Sequence, residues 1–424
     1  MKKRAYRAKE IKDIDRQRLA RLVEGRDVVV GVDVAKENQF AALTVGIKDV
    51  VETLKWRHPD QTSEFIELLS SLPCSSLEVA LEPTGSYGDA LRYRMLAAGI
   101  DVFRVSPKKA HDSKEIYDGV PSSHDAKSAA IVAWLHSQQA SEAWPMGPED
   151  IRELKAATSL LTLHDEHHQQ GLNRLEAQLA RHWPEVTDVL DIDSVTLLTV
   201  LTQYGGPEGV VGAEAQAERL MVQASRGSLS KKKISAVLHS ARATVGVPQL
   251  EEERRVLAEL AEETLRARRA KKRANTRVEE LAQGIADVKA MGEVVGMLTA
   301  AVLVTKVGRP ESFFCAHAYE KCSGSNLKVR SSGKYEGHLK ITKRGSGQAR
   351  KYLYLAVLRL IQKDPVIRAW YHRKVERDGG KFKNKAIVAL MRKLIRALWH
   401  VAREGKPFDS SLLFDTTRLG LATR

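Results

Sequence analysis

The chain has 424 residues, of which 43% are hydrophobic, and it carries a formal net charge of +15. This length predicts two to four domains, and no apolar run approaches the roughly 18 residues that a membrane-spanning helix needs. The basic N-terminus lacks the apolar core of a secretory signal. The three cysteines, Cys74, Cys315 and Cys322, are too few and too scattered for a disulfide framework or a zinc cage. We therefore expect a cytoplasmic protein with no membrane partner.

Positive charge is concentrated in the C-terminal third of the chain. Residues 301–424 hold 27 Lys and Arg against 9 Asp and Glu, so the preceding residues together carry a small negative charge. A surface that serves only solubility would spread its charge along the chain, whereas a concentrated surplus is typical of a polyanion partner. The sequence therefore favours nucleic acid as the partner.

The first 145 residues predict an extension followed by a sheet domain. Residues 1–26 are charged, with a loose apolar stripe, and we expect a basic helical extension that forms a solvated arm. Residues 27–145 predict strands at 28–34, 40–45, 50–56, 77–82 and 102–105, helices at 60–72 and 89–98, and a last helix that Asp125 opens and that runs through 129–135. We expect Ser122 or Ser123 to cap the last helix. Three strands, then strand, helix, strand and helix, is the order of a ribonuclease H-like fold.

One charged residue lies in an otherwise apolar strand. Residues 28–34 read VVVGVDV, a pattern typical of a central strand that is buried on both faces. An unpaired carboxylate in such a place costs several kcal/mol or is forced to be neutral. Asp33 therefore either meets a cation or lies where the strand opens into a site.

Two further acids are predicted to lie beside Asp33. Glu82 ends the fourth strand, which neighbours the first in a ribonuclease H-like sheet, and Asp125 opens the helix that follows the fifth strand. Converging oxygen ligands suit Mg²⁺, and two such ions can stabilise the attacking and leaving oxygens of a phosphoryl transfer. Taken singly, Glu82 is explained by a loop salt bridge, and Asp125 by the helix dipole. Their common location favours a catalytic metal site.

The fourth position of such a site holds a hydroxyl. A further carboxylate is expected one turn after Asp125 on the same helix face, and Ser128 is found there. Ser128 is then a weak, neutral ligand that can hold a bound water, and either His124 or Asp118 can compensate.

The rest of the chain predicts helices. Long amphipathic patterns at 149–183 and 249–291 suggest an antiparallel coiled-coil arm within a helical region, residues 146–290. The C-terminal domain, residues 291–424, begins with a Gly-punctuated, helix-hairpin-helix-like segment at 292–306. It continues with a polar loop at 322–347 and ends with basic amphipathic helices. The expected architecture is multidomain, α/β followed by α.

The polar loop contains a serine among cations. Ser332 precedes a glycine, a setting that suits a nucleophile on a phosphodiester, but a loop that only donates hydrogen bonds to phosphate explains it equally simply. From these residues alone the contact loop is favoured. The expected nucleic-acid-binding cations are Lys328, Arg330, Lys334, Lys343, Arg344, Arg350 and Lys351.

Two other patterns are weaker. His164 and His168 are four residues apart, but the Glu that directly follows the first His of a zincin helix is missing, so a solvated helix face is expected. Aromatic residues of the C-terminal helices, such as Trp370 and Trp399, can stack on bases but are at helical spacing typical of a core.

Four ordered motifs resemble a known family. Residues 31–36 (GVDVAK), 81–87 (LEPTGSY) and 124–133 (HDAKSAAIVA) resemble the N-terminal motifs of the insertion-sequence one-ten (IS110) transposases, relatives of the Piv-type DNA invertases. Asp125 matches the first aspartate of the family's Asp-x-x-Asp-Ala motif, and Ser128 replaces the second. The Ser332-Gly333 loop, Lys343-Arg344-Gly345 with Arg350, and the helix around 389–399 resemble the family's C-terminal domain.

This resemblance implies a mechanism. The N-terminal domain is expected to be RuvC-like and to bind Mg²⁺ through Asp33, Glu82 and Asp125. Ser332 matches the serine that forms a covalent phosphoserine link with DNA. The family also implies a composite site within a homotetramer, a structured bridge RNA that selects donor and target DNA, and a bacterial, nucleoid-associated location.

Three hypotheses follow. The first is a DNA recombinase that mobilises an insertion sequence through a serine and carboxylates, with Piv-type inversion as a related outcome. The second is a hydrolytic RuvC-like nuclease, which needs the carboxylates but not Ser332. The third is a nucleic-acid-binding protein whose catalysis was weakened through Ser128, and which a Ser128→Asp substitution does not rescue.

Overall fold

The computed structural model describes residues 7–122, 124–328, 331–332, 335–336 and 340–414, the two residue pairs by their backbone alone. The chain forms two compact units, Met1–Gly147 and Pro148–Arg424. Their division falls inside the cluster WPMGP at 144–148, because two prolines and a glycine interrupt regular structure there. No described helix has the length and apolar character that crossing a membrane requires.

The first unit is built on a seven-stranded sheet with helices packed on it. Its strands follow the order β1-β4-β3-β2-β5-β6-β7. The strands are β1 Lys9–Glu10, β2 Asp27–Asp33, β3 Asn38–Val45, β4 Asp49–Arg57, β5 Ser76–Glu82, β6 Asp101–Val105 and β7 Ser141–Ala143. The helices are α1 Arg16–Val23, α2 Thr62–Ser70, α3 Asp89–Ala97, α4 Pro107–Asp112, α5 Lys114–Asp118 and α6 Asp125–Ser137.

The predicted strand order is confirmed. β2, β3 and β4 form an antiparallel meander, and β5 and β6 then add in parallel on the other side of β2. This is the ribonuclease H-like arrangement, with β2 at the centre. The Val-rich β2 belongs there because Val28, Val30 and Val32 are all buried, and β-branched side chains pack well on a pleated surface.

Residues 9–23 are not a solvated arm, so that expectation was wrong for this described part of the extension. β1 pairs in parallel with β4, and Ile11, Ile14, Leu19 and Val23 are buried in the core of this unit. The loose apolar stripe is therefore the inner face of α1 and of the short turn before it. The helical spacing of these apolar residues is visible in the sequence. The pairing of this segment with the edge of β4 is not.

Helix α6 packs on β2 at unusually short range. A Cβ on Gly31 would lie 2.1 Å from the Ala129 carbonyl oxygen and 2.3 Å from the Ala133 nitrogen, so only glycine fits. Small alanines on α6 complete this close approach. The helix is capped by His124, whose Nδ1 accepts a hydrogen bond from the Lys127 backbone N–H; the expected cap, Ser122 or Ser123, was wrong.

The second unit is helical. Its helices are α7 Glu149–His182, α8 Val186–Val189, α9 Val195–Tyr204, α10 Pro207–Val211, α11 Glu214–Ala224, α12 Lys231–Arg242, α13 Glu251–Gln283, α14 Ala286–Val295, α15 Met297–Lys306, α16 Ala316–Ser323, α17 Gly347–Lys363, α18 Pro365–Arg377 and α19 Lys383–Glu404. Four two-residue strands, β8 Leu327–Lys328, β9 Ser331–Ser332, β10 Tyr335–Glu336 and β11 Lys340–Ile341, form two short antiparallel pairs between α16 and α17.

The two long helices α7 and α13 run antiparallel along each other. Three contacts fix the direction, since positions rise on α7 as they fall on α13. They are the Asp165–Lys271 ion pair, the approach of Gly171 to Thr264, and the Arg181–Glu253 ion pair. Antiparallel packing was expected; supercoiling of the pair as a coiled-coil arm stays a prediction.

This helix pair carries a separate core at each end. The C-terminal part of α7 and the N-terminal part of α13 pack with α8–α12, and their other ends pack with α14–α19. Residues 148–290 belong to the same compact unit as the residues that follow them, and the expected domain boundary at residue 290 stays a prediction.

The segment expected at 292–306 is part of a helix pair that begins earlier, at Ala286. α14 ends at Val295, Gly296 turns the chain at φ +84°, and α15 follows. Arg359 ties this turn to α17 by donating hydrogen bonds to the Val295 carbonyl and the Thr299 hydroxyl. The turn is thus present, while its likeness to a helix-hairpin-helix stays a prediction.

The weaker sequence patterns are resolved as packing. His168 is buried and hydrogen-bonded to Asp193, so it does not lie on the solvated helix face that was expected. Trp370 packs on Phe414, and the Trp399 indole donates to the Pro310 carbonyl. Both aromatic residues pack against the C-terminal core, as their spacing indicated.

Candidate active site

Two carboxylates lie side by side where the central strands end. Asp33 and Glu82 are the last residues of β2 and β5 and face each other in the parallel register of these strands. Both are partly buried. Two acids at the ends of adjacent strands indicate a site where these two central strands end. The sequence predicts that Asp33 and Glu82 lie side by side in this way.

Asp33 is in a setting that disfavours its charge. Burial, and then the neighbouring charges of Glu82 and Asp125, raise the pKa of Asp33 from 3.8 to about 6. Lys114 and a hydrogen bond from the Ser128 hydroxyl act in the opposite direction, with smaller effect. Glu82, Asp125 and Ser128 therefore all lie close enough to Asp33 to act on its carboxylate.

Glu82 has two cationic neighbours that sequence reasoning missed. Burial raises the pKa of Glu82, while Lys114 and His111 lower it in part. Both neighbours come from the short helices α4 and α5 between β6 and α6. The Lys48 ammonium fixes this segment, since it donates to the Tyr117 carbonyl at 2.8 Å and lies over the Tyr117 ring. Nothing in the sequence distinguishes Lys114 and His111 from the other basic residues, so their place beside the acids could not be predicted.

Asp125 is the exposed member of the group. It lies in the first turn of α6, one turn before Ser128. The close packing of α6 against Gly31 brings this turn over the end of β2. The geometry of the strand and the helix, and not a direct hydrogen bond between acids, thus assembles the site.

Both proposed substitutes for the missing fourth carboxylate have other partners in the structure. The Asp118 carboxylate is 2.6 Å from the Lys127 ammonium, which also donates to the carbonyls of Val120 and Ser122. Lys127 is only 2% exposed, so this pair is a fixed internal contact. His124 is engaged as the cap of α6. That one of them compensates for Ser128 stays a prediction; Ser128 itself is hydrogen-bonded to Asp33.

The donor set fits a hard divalent cation in its chemistry and charge. Its donors are carboxylate and hydroxyl oxygens, the ligands that Mg²⁺ prefers, and the raised pKa of Asp33 shows that its negative charge is under-compensated. Among the described residues, no three His, Cys, Asp or Glu side chains are already close enough together to hold a metal. A cation bound here would therefore draw the acids together.

The predicted nucleic-acid-binding cations divide into two groups. Lys328, Lys343 and Arg344 are exposed. Arg350 instead donates to the carbonyls of Ser323 and Gly345, and the Lys351 ammonium is 2.6 Å from Asp165. These two therefore have structural partners that sequence could not reveal.

Two predicted cations and one side chain cannot be placed. Arg330 and Lys334 lie outside the described residues. Ser332 lies on β9, opposite Tyr335 of β10, but its side chain also lies outside the described part of the chain. The role of the serine loop stays a prediction at this point.

Comparison with protein families identifies the chain. A family model of the DEDD transposases of IS110 matches residues 30–184, the stretch that contains all the site residues of the first unit. A second model, Transposase IS116/IS110/IS902 family, matches residues 293–372. The chain belongs to the IS110 family of transposases. It is therefore an enzyme that acts on DNA.

Individual relatives of this IS110 transposase agree with that assignment. One is the insertion element IS110 uncharacterized 43.6 kDa protein of Streptomyces coelicolor, 24% identical over 297 residues, or 68% of this chain and 72% of the relative. Another is the insertion element IS900 uncharacterized 42 kDa protein of Mycobacterium paratuberculosis, 23% identical over 393 residues, or 89% and 96%.

A solved structure was also matched. It is T. thermophilus RuvC in complex with a Holliday junction substrate, with 12% sequence identity and a TM-score of 0.20. The match covers 28% of the transposase and 99% of the RuvC chain.

Proposed function

We propose that this IS110 transposase cuts and rejoins DNA through a covalent phosphoserine at Ser332, with Mg²⁺ held by Asp33, Glu82 and Asp125. The observation that carries the proposal is the pairing of Asp33 with Glu82 on adjacent strand ends, under the first turn of α6. A transposase must break phosphodiesters, and a desolvated group of acids is a setting in which a divalent cation acts on phosphate.

The chain's own residues prepare this site for phosphate. Desolvation of Asp33 leaves negative charge with little compensation, so the acids hold a cation more strongly than they would in water. The bound cation would supply charge stabilisation to the oxygens that attack and leave phosphorus. Ser128 donates its hydroxyl to Asp33 and so orients that carboxylate. Lys114 adds positive charge where the phosphate would lie.

Ser332 is assigned as the nucleophile. Its oxygen would form a bond to phosphorus, the bond from phosphorus to one deoxyribose oxygen would break, and that oxygen would leave as a hydroxyl with the serine proton. In rejoining, a deoxyribose hydroxyl would attack the same phosphorus and release the serine. The exposed cations Lys328, Lys343 and Arg344 support this role because they can hold the flanking phosphates.

The remaining parts of the proposal are a bridge RNA, which would choose the donor and target DNA, and a homotetramer arranged as a dimer of dimers. Both are implied by membership of the family. They are supported by the net charge of +15, since a protein that handles two DNA duplexes and an RNA must neutralise many phosphates.

Covalent trapping tests the nucleophile. The purified transposase is incubated with Mg²⁺, labelled DNA carrying the element's end, and RNA transcribed from the element. The products are then resolved under denaturing conditions. We expect a protein–DNA adduct that survives denaturation, is lost in Ser332→Ala, and is kept in Ser331→Ala. Nucleic-acid binding should be unchanged in both variants.

Each of the other outcomes would indicate a different nucleophile or a different function. Adducts that persist in Ser332→Ala would disprove the serine assignment. Cleavage without any adduct would indicate a hydrolytic nuclease. Binding without cleavage, not rescued by Ser128→Asp, would indicate a relative whose catalysis has been weakened.

A further inference from the structure

A basic groove lies along one side of the α7–α13 helix pair, and none of the site residues assigned above lines it. It has a volume of about 760 Å³. Its basic walls are formed by His164, His167 and Arg174 of α7 and by Arg266, Arg269 and Arg273 of α13. Glu263 is the acidic residue on the groove's wall.

Small residues line the groove between its basic side chains. A Cβ on Gly171 would lie 2.4 Å from the Thr264 hydroxyl, so the two helices approach closely at that point. Ala267 and Ala270 line the groove between the arginines. Long basic side chains of both helices therefore flank these small residues, and all of them except Arg266, which is paired with Glu262, lack an ion pair among the described residues.

Within the described part of the chain, three arginines of the groove lack the ion pairs that most neighbouring cations on α13 make, although a fourth, Arg266, is paired with Glu262. Residues 266–277 of α13 contain seven Lys and Arg and no acid. Outside the groove, Arg268 is paired with Asp193 and Lys271 with Asp165. Within it, Arg269 and Arg273 are exposed and have no ion pair with any described residue, as is also true of Arg174 across the groove.

Stability does not explain this arrangement. Arg269 and Arg273 are four residues apart on one helix face, and like charges at that spacing destabilise a helix. A solvated face would be expected to mix signs, as α13 does at its first turn with Glu251, Glu252 and Glu253 near Arg255. A row of unpaired guanidinium groups along a groove instead fits an anionic ligand that is long and regular.

We propose that this groove binds the phosphodiester backbone of a nucleic acid. The stretch from His164 to Arg174 spans about 15 Å at 1.5 Å per residue, which matches about four phosphates at 3.4 Å along one strand of a duplex. DNA and RNA share this chemistry. The groove therefore gives the helix pair a binding role of its own, beyond joining two cores.

The proposal goes beyond the function proposed above and does not depend on it. It concerns binding, and neither Ser332 nor the carboxylates take part in it. If no covalent adduct is trapped, the proposal that the groove binds nucleic acid still stands. If the groove does not bind nucleic acid, the proposal of phosphoserine chemistry still stands.

Two adjacent residues give a matched test. Arg273 lines the groove, whereas Lys272 is exposed on the same helix, does not line it, and has no ion pair among the described residues. The full-length chain and its Arg273→Glu, Arg269→Glu/Arg273→Glu and Lys272→Glu variants are titrated against 20-base-pair DNA and RNA duplexes of equal sequence, and against the single strands, at several salt concentrations. Circular dichroism confirms folding.

We expect the double variant to bind at least one of these probes about tenfold or more weakly, and to lower the salt slope by about two. Arg273→Glu should give about half of that slope change, and Lys272→Glu should leave affinity within about threefold. The probe most affected identifies DNA or RNA as the ligand. Equal behaviour of Arg273→Glu and Lys272→Glu would overturn the proposal. So would a double variant that binds normally but loses self-association, which would make the groove a protein interface.

Discussion

The carboxylate site of the first unit and the basic groove of the second each concentrate one sign of charge, but they do so in opposite surroundings. Asp33 is partly buried, and its charge is disfavoured enough to raise its pKa to about 6. Arg269 and Arg273 are exposed to water and have no ion pair with any described residue. The first arrangement calls for a compact cation held at short range, and the second for an extended polyanion.

The difference teaches how each site is encoded. The carboxylate site depends on backbone packing, because Gly31 allows α6 to approach β2 and places Ser128 against Asp33. The groove depends on side-chain spacing along two helices that would pack in any case. A single substitution that moves the backbone of α6 should therefore disrupt the carboxylate site. Ligand binding by the groove should instead weaken gradually as more of its charges are removed.

The largest expected effect is loss of activity in Asp33→Asn. Removing this carboxylate should lower the rate of DNA strand transfer about a hundredfold or more, since metal-assisted charge stabilisation is worth several kcal/mol. The same variant should be at least as stable to heat at neutral pH without metal, because a desolvated charge repelled by Glu82 has been removed. Rate assays and thermal unfolding measure the two effects.

Asp101→Asn is the matched control for that prediction. Asp101 is an exposed acid at the start of β6, and therefore at the opposite end of the sheet. It should keep its activity. An active Asp33→Asn, or an Asp33→Asn that is strongly destabilised, would show that Asp33 has a structural and not a catalytic role.

The next effect is on stability, in Gly31→Ala. The added Cβ would meet the backbone of α6 at Ala129 and Ala133, so the helix must move. Overpacking of this kind costs about 2 kcal/mol or more, which would lower the melting temperature of a unit of this size by roughly 5 °C or more. Magnesium-dependent activity should fall as well, since the first turn of α6 carries Asp125.

Gly88→Ala provides the comparison in the same unit. A Cβ on Gly88 would lie 3.4 Å from the nearest atom, a Val34 side-chain carbon. That is an ordinary contact, so this variant should be close to wild type. Equal melting temperatures for the two variants would contradict the close-packing explanation of the site.

The central fold could be predicted because its signals are local and repeated. The apolar runs of β2 and β5 end in Asp33 and Glu82, and the strand order then brings the two acids together. The opening of α6 at Asp125 followed the same logic. These residues needed only the strand and helix periods and a topology for their placement.

What could not be predicted depends on partners distant in sequence. Lys114 and His111 come from short helices with no clear apolar period. Lys351 is paired with Asp165, far away on α7. Burial would raise the pKa of Asp165, but hydrogen bonds from Lys271 and Lys351 outweigh it and leave that pKa below its ordinary value. A sequence shows a charge but not the group that neutralises it.

The basic groove was hidden for a different reason. The acids elsewhere in the first 300 residues cancel the seven cations of residues 266–277 in the net charge of that region. A sum over a whole region loses a feature that occupies a few helical turns. Counting charge on each helix face would have found it.

The smallest expected effect is a pH dependence of metal stabilisation, and it separates the two sites most cleanly. The folded-state pKa of Asp33 is raised from 3.8 to about 6, so between these values the folded chain binds more protons than the unfolded chain. Without metal, stability should therefore fall as pH rises from about 4 to 6 and should then level off with respect to this group.

Magnesium competes with that proton, so it should stabilise little at pH 5 and fully at pH 7.5. At ten times its dissociation constant the gain is about 1.4 kcal/mol, or a few degrees in melting temperature. Asp33→Asn should remove this dependence, whereas Arg269→Glu/Arg273→Glu should leave it unchanged. A magnesium-induced shift of equal size at pH 5 and pH 7.5 would mean that the ion binds elsewhere.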